Sequence, residues 1–238
     1  MSDTPERPEP SARPDPPERP DFSAVPLFPL PSVVLFPRAV LPLHIFEERY
    51  KAMTADALDG PRQVAMALLK PGWEKDYYQK PPIEPVVCVG TILSHEKLPD
   101  GKYNFLLQGH ARARITREVT AQGKPYRVAR LEPLPDSNEL EIDLEDERRR
   151  LLRLFRPTLL GATPVGRQFL SLLTGGARTA DIVDLLAFNY IDDVRLKQSL
   201  LEETDVRTRA RRAAEALESA RTTLQLATLP EGTDPAWN

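Results

Sequence analysis

Three short runs of sequence decide the fold: VPLFPL at residues 25–30, VVLFP at residues 33–37 and LPLHIFEERY at residues 41–50. All three runs are rich in large apolar side chains, and all three carry proline. Because proline has no N–H to donate to a central sheet ladder, a buried segment of this composition is made of edge strands, turns and bulges. The runs therefore predict a small, irregular β structure.

The pattern downstream of these runs predicts one helix and then a series of strands. Residues 46–58 have helical spacing, with Phe46 on the same apolar stripe as Tyr50, and a Gly-Pro pair ends the helix. A Pro-Asp-Gly-Lys run at residues 99–102 favours a hairpin, and Gly109 marks a second turn or bulge. The predicted strands cover residues 64–69, 86–94, 102–108, 112–119 and 126–131.

Helical periodicity takes over after residue 135. Thr163 and Pro164 form an N-cap and N1 pair that predicts a helix start, and Gly175 and Gly176 end that helix. Further helices are predicted over residues 179–189, over residues 193–203 and from residue 206 onward. The second half of the chain is therefore predicted to be a helical bundle.

The chain ends are predicted to lie outside the folded part. Proline makes up 25 of the 238 residues, and seven prolines fall in the first 20 positions among charged and small side chains. Such a segment buries too little apolar surface to offset its ordering entropy. We therefore predict a disordered proline-rich arm (1–22), a β subdomain (23–135), a helical subdomain (136–228) and a tail (229–238).

Charge and cysteine content exclude several classes of protein. The formal net charge of −3 provides no bulk basic field for nucleic acid or membranes. A single cysteine, Cys88, excludes an intramolecular disulfide framework and a cysteine-rich zinc site, and no apolar leader follows Met1. No apolar run approaches the roughly 20 residues that span a bilayer. We expect a cytoplasmic protein that does not associate with membranes.

The sequence carries no complete catalytic or cofactor motif. Neither of its Gly-Lys pairs is followed by the Ser or Thr that a phosphate-binding loop requires. No nucleophile elbow is present, although Ser171 and Lys197 stay open as a distant pair. The histidines, none of which has a partner at metal-ligand spacing, are His44, His95 and His110. We expect no catalytic residue, no cofactor and no metal.

Arginine clusters at residues 148–156 and 207–212 raise the question of phosphate binding. The first cluster directly follows a run of acidic residues, and Glu145 stands four residues before Arg149, so a self-compensated, solvated helix face is predicted. Arg112 is assigned to the solvated face of a strand in the same way. Nucleic acid is therefore not the expected partner.

The best candidate for a contact surface is the loop at residues 71–82. It holds Trp73, Tyr77 and Tyr78 together with Lys75, in a stretch that otherwise has an exposed composition. Tyr and Trp supply large contact areas at low entropic cost and are enriched at interfaces. The alternative is that Trp73 and one tyrosine fold back and cap the β structure.

The proline-broken runs at residues 25–50 resemble the start of the Lon protease N-terminal domain. Further similar stretches are VGTI at 89–92, LPDGKY at 98–103, GHARARI at 109–115 and KQSLLE at 197–202. The resemblance extends over about residues 24–227. It implies an α+β fold in which a PUA-like β pseudo-barrel is followed by a helical bundle, in a module that helps to select substrate polypeptides.

The resemblance also sets the functional expectation. The chain stops where the protease's ATPase domain begins, and it lacks both the nucleotide motif and the serine-lysine peptidase domain, so a stand-alone, non-enzymatic protein is expected. The expected partners are unfolded or hydrophobic polypeptides, or a partner protein for which the chain is an adaptor in quality control. The alternative is RNA or nucleotide binding through the PUA-like barrel, by analogy with related barrels.

Overall fold

A computed structural model describes residues 22–76, 79–120, 123–137, 140–155 and 163–227. The strands are β1 (Val25–Leu30), β2 (Val40–Ile45), β3 (Gln63–Leu68), β4 (Val86–Lys97), β5 (Tyr103–Val119) and β6 (Arg127–Pro133). The helices are α1 (Glu48–Asp59), α2 (Glu145–Phe155), α3 (Pro164–Thr174), α4 (Thr179–Tyr190), α5 (Val194–Glu202) and α6 (Val206–Ala227). The predicted arm and tail lie outside the described residues, except that the Phe22 carbonyl accepts a 2.8 Å hydrogen bond from the Leu131 N–H.

The six strands form one sheet that closes on itself. Its order is β2-β5-β4-β3-β1-β6, and β6 pairs in addition with β5. This extra pairing closes a ring of β5, β4, β3, β1 and β6, whereas β2 pairs with β5 outside the ring. Only the β1–β3 pairing is parallel within this sheet. The predicted combination of a partly closed β structure with helices is confirmed.

The side chains of the ring strands alternate between two apolar layers. On β3, Val64 and Met66 point into one layer, and Ala65 and Ala67 point into the other. The second layer draws on all five ring strands and therefore fills the ring interior, mostly with small side chains that suit a narrow barrel. The first layer also contains helix residues such as Leu186, so the helices pack against the outside of the ring.

β5 is one continuous strand of 17 residues, whereas the sequence predicts two strands separated at Gly109. The break is a bulge at His110, where the register with β4 shifts. Two backbone hydrogen bonds join the segment before β2 to this bulge, and we call them the clasp. The Arg38 N–H donates to the Gly109 carbonyl at 2.8 Å, and the Gly109 N–H donates to the Ala39 carbonyl at 2.9 Å. A side chain at position 109 would put a Cβ only 2.1 Å from the Phe36 carbonyl oxygen, so glycine is required there.

Gly109→Ala is expected to lower the free energy of unfolding by about 3 kcal/mol or more, because the backbone at Phe36 has to move. Gly176→Ala is the matched control, since no atom lies within 4 Å of its added Cβ. That change should alter stability by about 1 kcal/mol at most. Urea denaturation of both variants measures the two changes in the free energy of unfolding. Equal changes would show that the backbone at Gly109 and Phe36 is not tightly packed.

Local sequence signals place the helix starts well, with one exception. The Thr163 hydroxyl accepts a 2.9 Å hydrogen bond from the Gly166 N–H, as the predicted N-cap requires, and Asp193 caps α5 in the same way. The exception is Phe46, which the helical pattern places on an apolar stripe with Tyr50. α1 begins at Glu48, and Phe46 lies before it with 60% of its surface exposed.

Arg112 is buried, so its predicted position on a solvated strand face is wrong. Its side chain is 2% exposed and forms ion pairs with Asp184 on α4 and, at 3.2 Å, with Asp136. Arg209 on α6 is fully buried and contacts the same two carboxylates at 3.1 and 2.8 Å. Arg112 Nε also donates to the Leu201 carbonyl on α5 at 3.0 Å. This buried charge network joins the sheet to α4, α5 and α6.

The arginines of α2 differ in whether helical spacing reveals their partners. Arg149 pairs with the carboxylate of Asp146 at 2.7 Å, and Arg150 reaches across to Glu218 on α6 at 2.6 Å. Arg148 donates to four carbonyls at and beyond the end of α3, those of Leu172, Leu173, Gly175 and Ala177. These last hydrogen bonds satisfy carbonyls that a helix terminus leaves without partners.

Candidate functional site

Several large apolar side chains are exposed together at one end of the sheet. Alternation along β2 buries Ile45 and turns Val40 and Pro42 outward. Val40 is 39% exposed, as is Leu106 on the neighbouring strand, and Leu93 on β4 is 49% exposed. Isolated exposed apolar residues are ordinary, but a contiguous group of them marks a contact surface.

The pairing of the strands shows that these side chains are neighbours. Pro42 lies opposite Leu106, which in turn lies opposite Ser94. Leu93 occupies the bulge directly before Ser94. We call the surface formed by Val40, Pro42, Phe46, Leu93 and Leu106 the exposed apolar face.

A shallow groove of about 430 Å³ meets this face at Pro42 and Leu106 and is lined by residues of β2, β4 and β5. His44 stands in its wall, with Nδ1 2.7 Å from the Asn104 side-chain oxygen across the strand pair. The Phe46 ring stacks on the His44 ring with centroids 6.2 Å apart, which brings Phe46 to the groove. The face therefore combines apolar area with a few fixed polar groups.

The free edge of β2 is a poor template for an added strand. The hydrogen bond from Gly109 to Ala39, together with the register, directs the backbone groups of Leu41 and Leu43 to β5, and those of Val40, Pro42 and His44 to the free edge. Pro42 has no N–H to offer there, and proline is one of the devices that block pairing at sheet edges. Contacts at this end of the sheet therefore fall to side chains.

A family model described as "ATP-dependent protease La (LON) substrate-binding domain" matches residues 24–219. The chain belongs to this family. The assignment confirms the resemblance that the runs at residues 25–50 indicate. It supports a role in substrate recognition for this LON substrate-binding domain.

Known relatives agree with the assignment. The Lon protease of Dictyoglomus thermophilum is 26% identical over 189 residues, which cover 78% of this chain and 23% of that protein. The Lon protease of Trichlorobacter lovleyi is 30% identical over 188 residues, which cover 76% of this chain and 22% of that protein. The chain thus spans about a quarter of the length of these relatives.

Solved structures show the same fold. The N-terminal domain of a Mycobacterium avium complex Lon protease superposes with a TM-score of 0.64 at 14% identity, covering 82% of this chain and 98% of that one. A Lon N-terminal domain protein from Xanthomonas campestris gives 0.57 at 22% identity, covering 87% and 99%. The family match and both structures correspond to the Lon N-terminal domain.

The aromatic loop that the sequence singles out is partly described. Trp73 begins a short 3-10 helix (Trp73–Asp76) and is half-buried, whereas Lys75 is exposed. Tyr77 and Tyr78 lie outside the described residues, so their grouping with Trp73 stays a prediction. The end of the loop is fixed to the sheet, because Arg127 Nη1 donates to the Pro81 carbonyl at 2.7 Å.

Potentially reactive or metal-binding side chains elsewhere in the LON domain have structural roles. Cys88 is fully buried in the apolar layer outside the ring, and burial raises the pKa of its thiol far above the ordinary value. Lys197 Nζ donates to the Phe188 carbonyl at 2.9 Å, and within the described residues no hydrogen bond joins it to Ser171. Over the same residues, no group of three or more His, Cys, Asp or Glu side chains is arranged to hold a metal ion.

None of the described helices is both long enough and apolar enough to cross a bilayer.

A second cavity of about 270 Å³ lies between the end of the aromatic loop, α1 and β6. Three of the four cations that line it are paired: Arg127 binds Glu118 through two nitrogens, Lys124 lies 3.3 Å from Asp56, and Arg49 lies 3.0 Å from Glu47. Asp56 also accepts a hydrogen bond from the Tyr126 hydroxyl. These contacts fasten α1 to the turn before β6, so we assign the cavity a structural role.

The Asp56 contacts predict a pH dependence of stability. The Tyr126 hydroxyl lowers the pKa of Asp56 below its ordinary 3.8, burial opposes this, and Lys124 adds to the lowering. A lowered carboxyl pKa stabilises the fold above the unfolded-state pKa, and this contribution is lost as the pH falls through the folded-state pKa. Asp56→Asn should therefore lower stability by about 1 kcal/mol or less at pH 7, since the side chain is partly exposed.

The difference in free energy of unfolding between wild type and Asp56→Asn should disappear as the pH falls below the ordinary pKa of 3.8. Urea denaturation of both proteins from neutral to acid pH measures it. A difference that keeps its full size at the acid end would exclude an ionised Asp56 as the cause.

Proposed function

We propose that this LON substrate-binding domain is a non-catalytic recognition module that holds unfolded or hydrophobic polypeptide segments on its exposed apolar face. The observation that carries the proposal is the grouping of exposed apolar side chains at one groove, which Pro42 and Leu106 line and beside which Phe46 is 60% exposed. Such segments expose the apolar side chains that this face would remove from water. A role as an adaptor in protein quality control follows if a partner protease receives the held segment.

The size of the face favours weak, broad binding. Full burial of one Leu or Phe side chain contributes about 1.5–3 kcal/mol. Ordering a flexible segment and immobilising two molecules cost a large share of that gain. The exposed apolar face has few large side chains, so micromolar affinity with little sequence preference is the expected regime. This regime suits transient recognition of many different segments.

The mode of contact follows from β2. Because Pro42 interrupts the donors on the free edge, a bound segment gains little from strand addition. It would instead place apolar side chains in the groove between Pro42 and Leu106, beside the His44–Phe46 stack. The loop with Trp73 and Lys75 remains a second proposed contact, together with Tyr77 and Tyr78.

Nucleic acid is the alternative partner class. The arginines that suggest it are largely committed elsewhere: Arg112 and Arg209 are buried in ion pairs, Arg148 holds the end of α3, and Arg150 binds Glu218. This leaves little phosphate-binding potential in the clusters that the sequence singles out. Binding of a labelled RNA that weakens steeply with salt would favour the alternative.

The double variant Phe46→Ser with Leu106→Ser tests the proposal. It should raise the dissociation constant for a fluorescently labelled, permanently unfolded model protein by about tenfold or more. Fluorescence anisotropy measures the binding. Thermal stability should change little, because both side chains are exposed in the free protein.

Ile142→Ser with Leu140→Ser is the matched control. These side chains are 76% and 67% exposed but lie near the start of α2, away from the groove residues in sequence and fold. The control should bind the unfolded protein as wild type does. Equal losses in both double variants, or none in the first, would contradict a role for the exposed apolar face.

The aromatic loop needs its own test. In a Trp237→Phe background, Trp73 is the sole tryptophan, because the chain has two. If the loop contacts the held segment, Trp73 emission should shift as the unfolded protein is added, and Trp73→Ala should weaken binding. An unchanged spectrum at saturation would remove the loop from the contact surface and leave the exposed apolar face as the site.

A further inference from the structure

A cavity of about 260 Å³ opens where the sheet meets the helices. Its walls come from the turn before β2, the β5 bulge, the segment that follows β6 and the start of α4. The residues with side chains able to bind a ligand are Arg38, His110, Arg112, Asp136, Arg178 and Asp181. None of these positions belongs to the exposed apolar face.

The two outer arginines have hydrogen-bond donors to spare. Arg178 holds Asp181 through Nε and Nη2, at 3.0 and 2.7 Å. Arg38 touches the same carboxylate with Nε alone, at 3.5 Å. Within the described part of the chain, both Nη atoms of Arg38 and Nη1 of Arg178 make no hydrogen bond. Their side chains are 60% and 59% exposed, so a ligand can reach them.

His110 adds a ring nitrogen that is buried and unsatisfied. Its Nδ1 lies 3.3 Å from the Thr91 hydroxyl, whereas Nε2 has no partner among the described residues although water cannot reach it. Burial lowers the pKa of His110, which favours the neutral ring at physiological pH. The neutral ring carries one proton, and its position on Nδ1 or Nε2 depends on whether the Thr91 hydroxyl accepts from Nδ1 or donates to it. In either tautomer Nε2 is a buried polar atom without a partner, which is costly and rare.

Three of the four carboxylate oxygens around the cavity already accept hydrogen bonds. Asp181 accepts from Arg178 with both oxygens and lies next to Arg38 as well. Asp136 Oδ1 accepts from both Arg112 and Arg209. Donors therefore outnumber acceptors here, and a ligand that completes the set has to bring acceptor oxygens.

The backbone at Arg38 gives an independent reason to look here. Its φ of 67° is in the left-handed region, which an arginine adopts only under strain. The hydrogen bond from its N–H to the Gly109 carbonyl holds it there, one residue from His110 in the bulge. Strained backbone of this kind concentrates at ligand-binding sites.

We propose that this cavity is an oxyanion-binding site, in which Arg38 and Arg178 donate to the oxygens of a carboxylate or phosphate group that lies beside the His110 ring. The bound group would bridge the turn before β2, through Arg38, and the helical bundle, through Arg178. The site is independent of the polypeptide-binding function proposed above, and either can fail without the other.

Inorganic phosphate and acetate are the probes, each added at constant ionic strength. The imidazole ¹H–¹⁵N spectrum is a suitable readout, because the chain has three histidines. Phosphate, acetate or both should shift the His110 signals along a saturable curve, with His44 and His95 unmoved. A response to one probe alone identifies the phosphate or the carboxylate as the preferred group. Signals that all drift together without saturation would overturn the proposal.

Arg38→Gly removes the donor without damage to the fold, because glycine adopts the left-handed backbone readily. Arg62→Gly is the matched control, since Arg62 has a φ of 59° and does not line the cavity. Arg38→Gly should raise the dissociation constant of the effective probe by about tenfold, and Arg62→Gly should leave it within about twofold. Equal affinities for the two variants would mean that the anion binds elsewhere.

Discussion

The buried charge network around Arg112 is the constraint on which the rest of the structure depends. Arg112 and Asp184 are both almost fully buried, and Arg209 and Asp136 complete the set. Burial opposes the positive charge of Arg112, but the two carboxylates outweigh it and raise the pKa of its guanidinium. Charges this deep are tolerated only when every partner is in place, since a partner left alone keeps the cost of desolvation without the compensating attraction. The sheet and the bundle therefore have to meet in one arrangement.

That arrangement assigns different tasks to different parts of the domain. The helices cover the outside of the ring with a shared apolar layer, and the cavity with Arg38 and His110 opens beside the charge network. β2 stays outside the ring and pairs with β5 alone among the described strands, and so it can present side chains on an exposed face. The clasp at Gly109 ties these regions together, because it fixes both the start of β2 and the turn that carries Arg38.

Sequence reasoning succeeds where the signal is local and fails where the partner is distant in sequence. Thr163, with its proline, marks a helix start through a bond to a residue three positions away, and this prediction is confirmed. Arg112 pairs with a residue 72 positions away, so its strand pattern could not reveal that it is buried. The exposed apolar face is missed for a similar reason: the register of β2 on β5, which no local pattern sets, decides that Pro42 and Leu106 meet in the open. The loop with Tyr77 and Tyr78, in contrast, stays a prediction.

A double-mutant cycle between Arg112 and Asp184 tests the central claim most directly. Arg112→Met and Asp184→Leu should each lower the free energy of unfolding by about 3–5 kcal/mol, because each leaves the other charge buried with an incomplete set of partners. The double variant should be more stable than the sum of the single changes predicts, by about 2 kcal/mol or more, since Arg209 keeps Asp136 and the Glu203 carbonyl as partners. Effects of the two changes that simply add would contradict the account, because they would mean that the sheet and the bundle are held together without this pair.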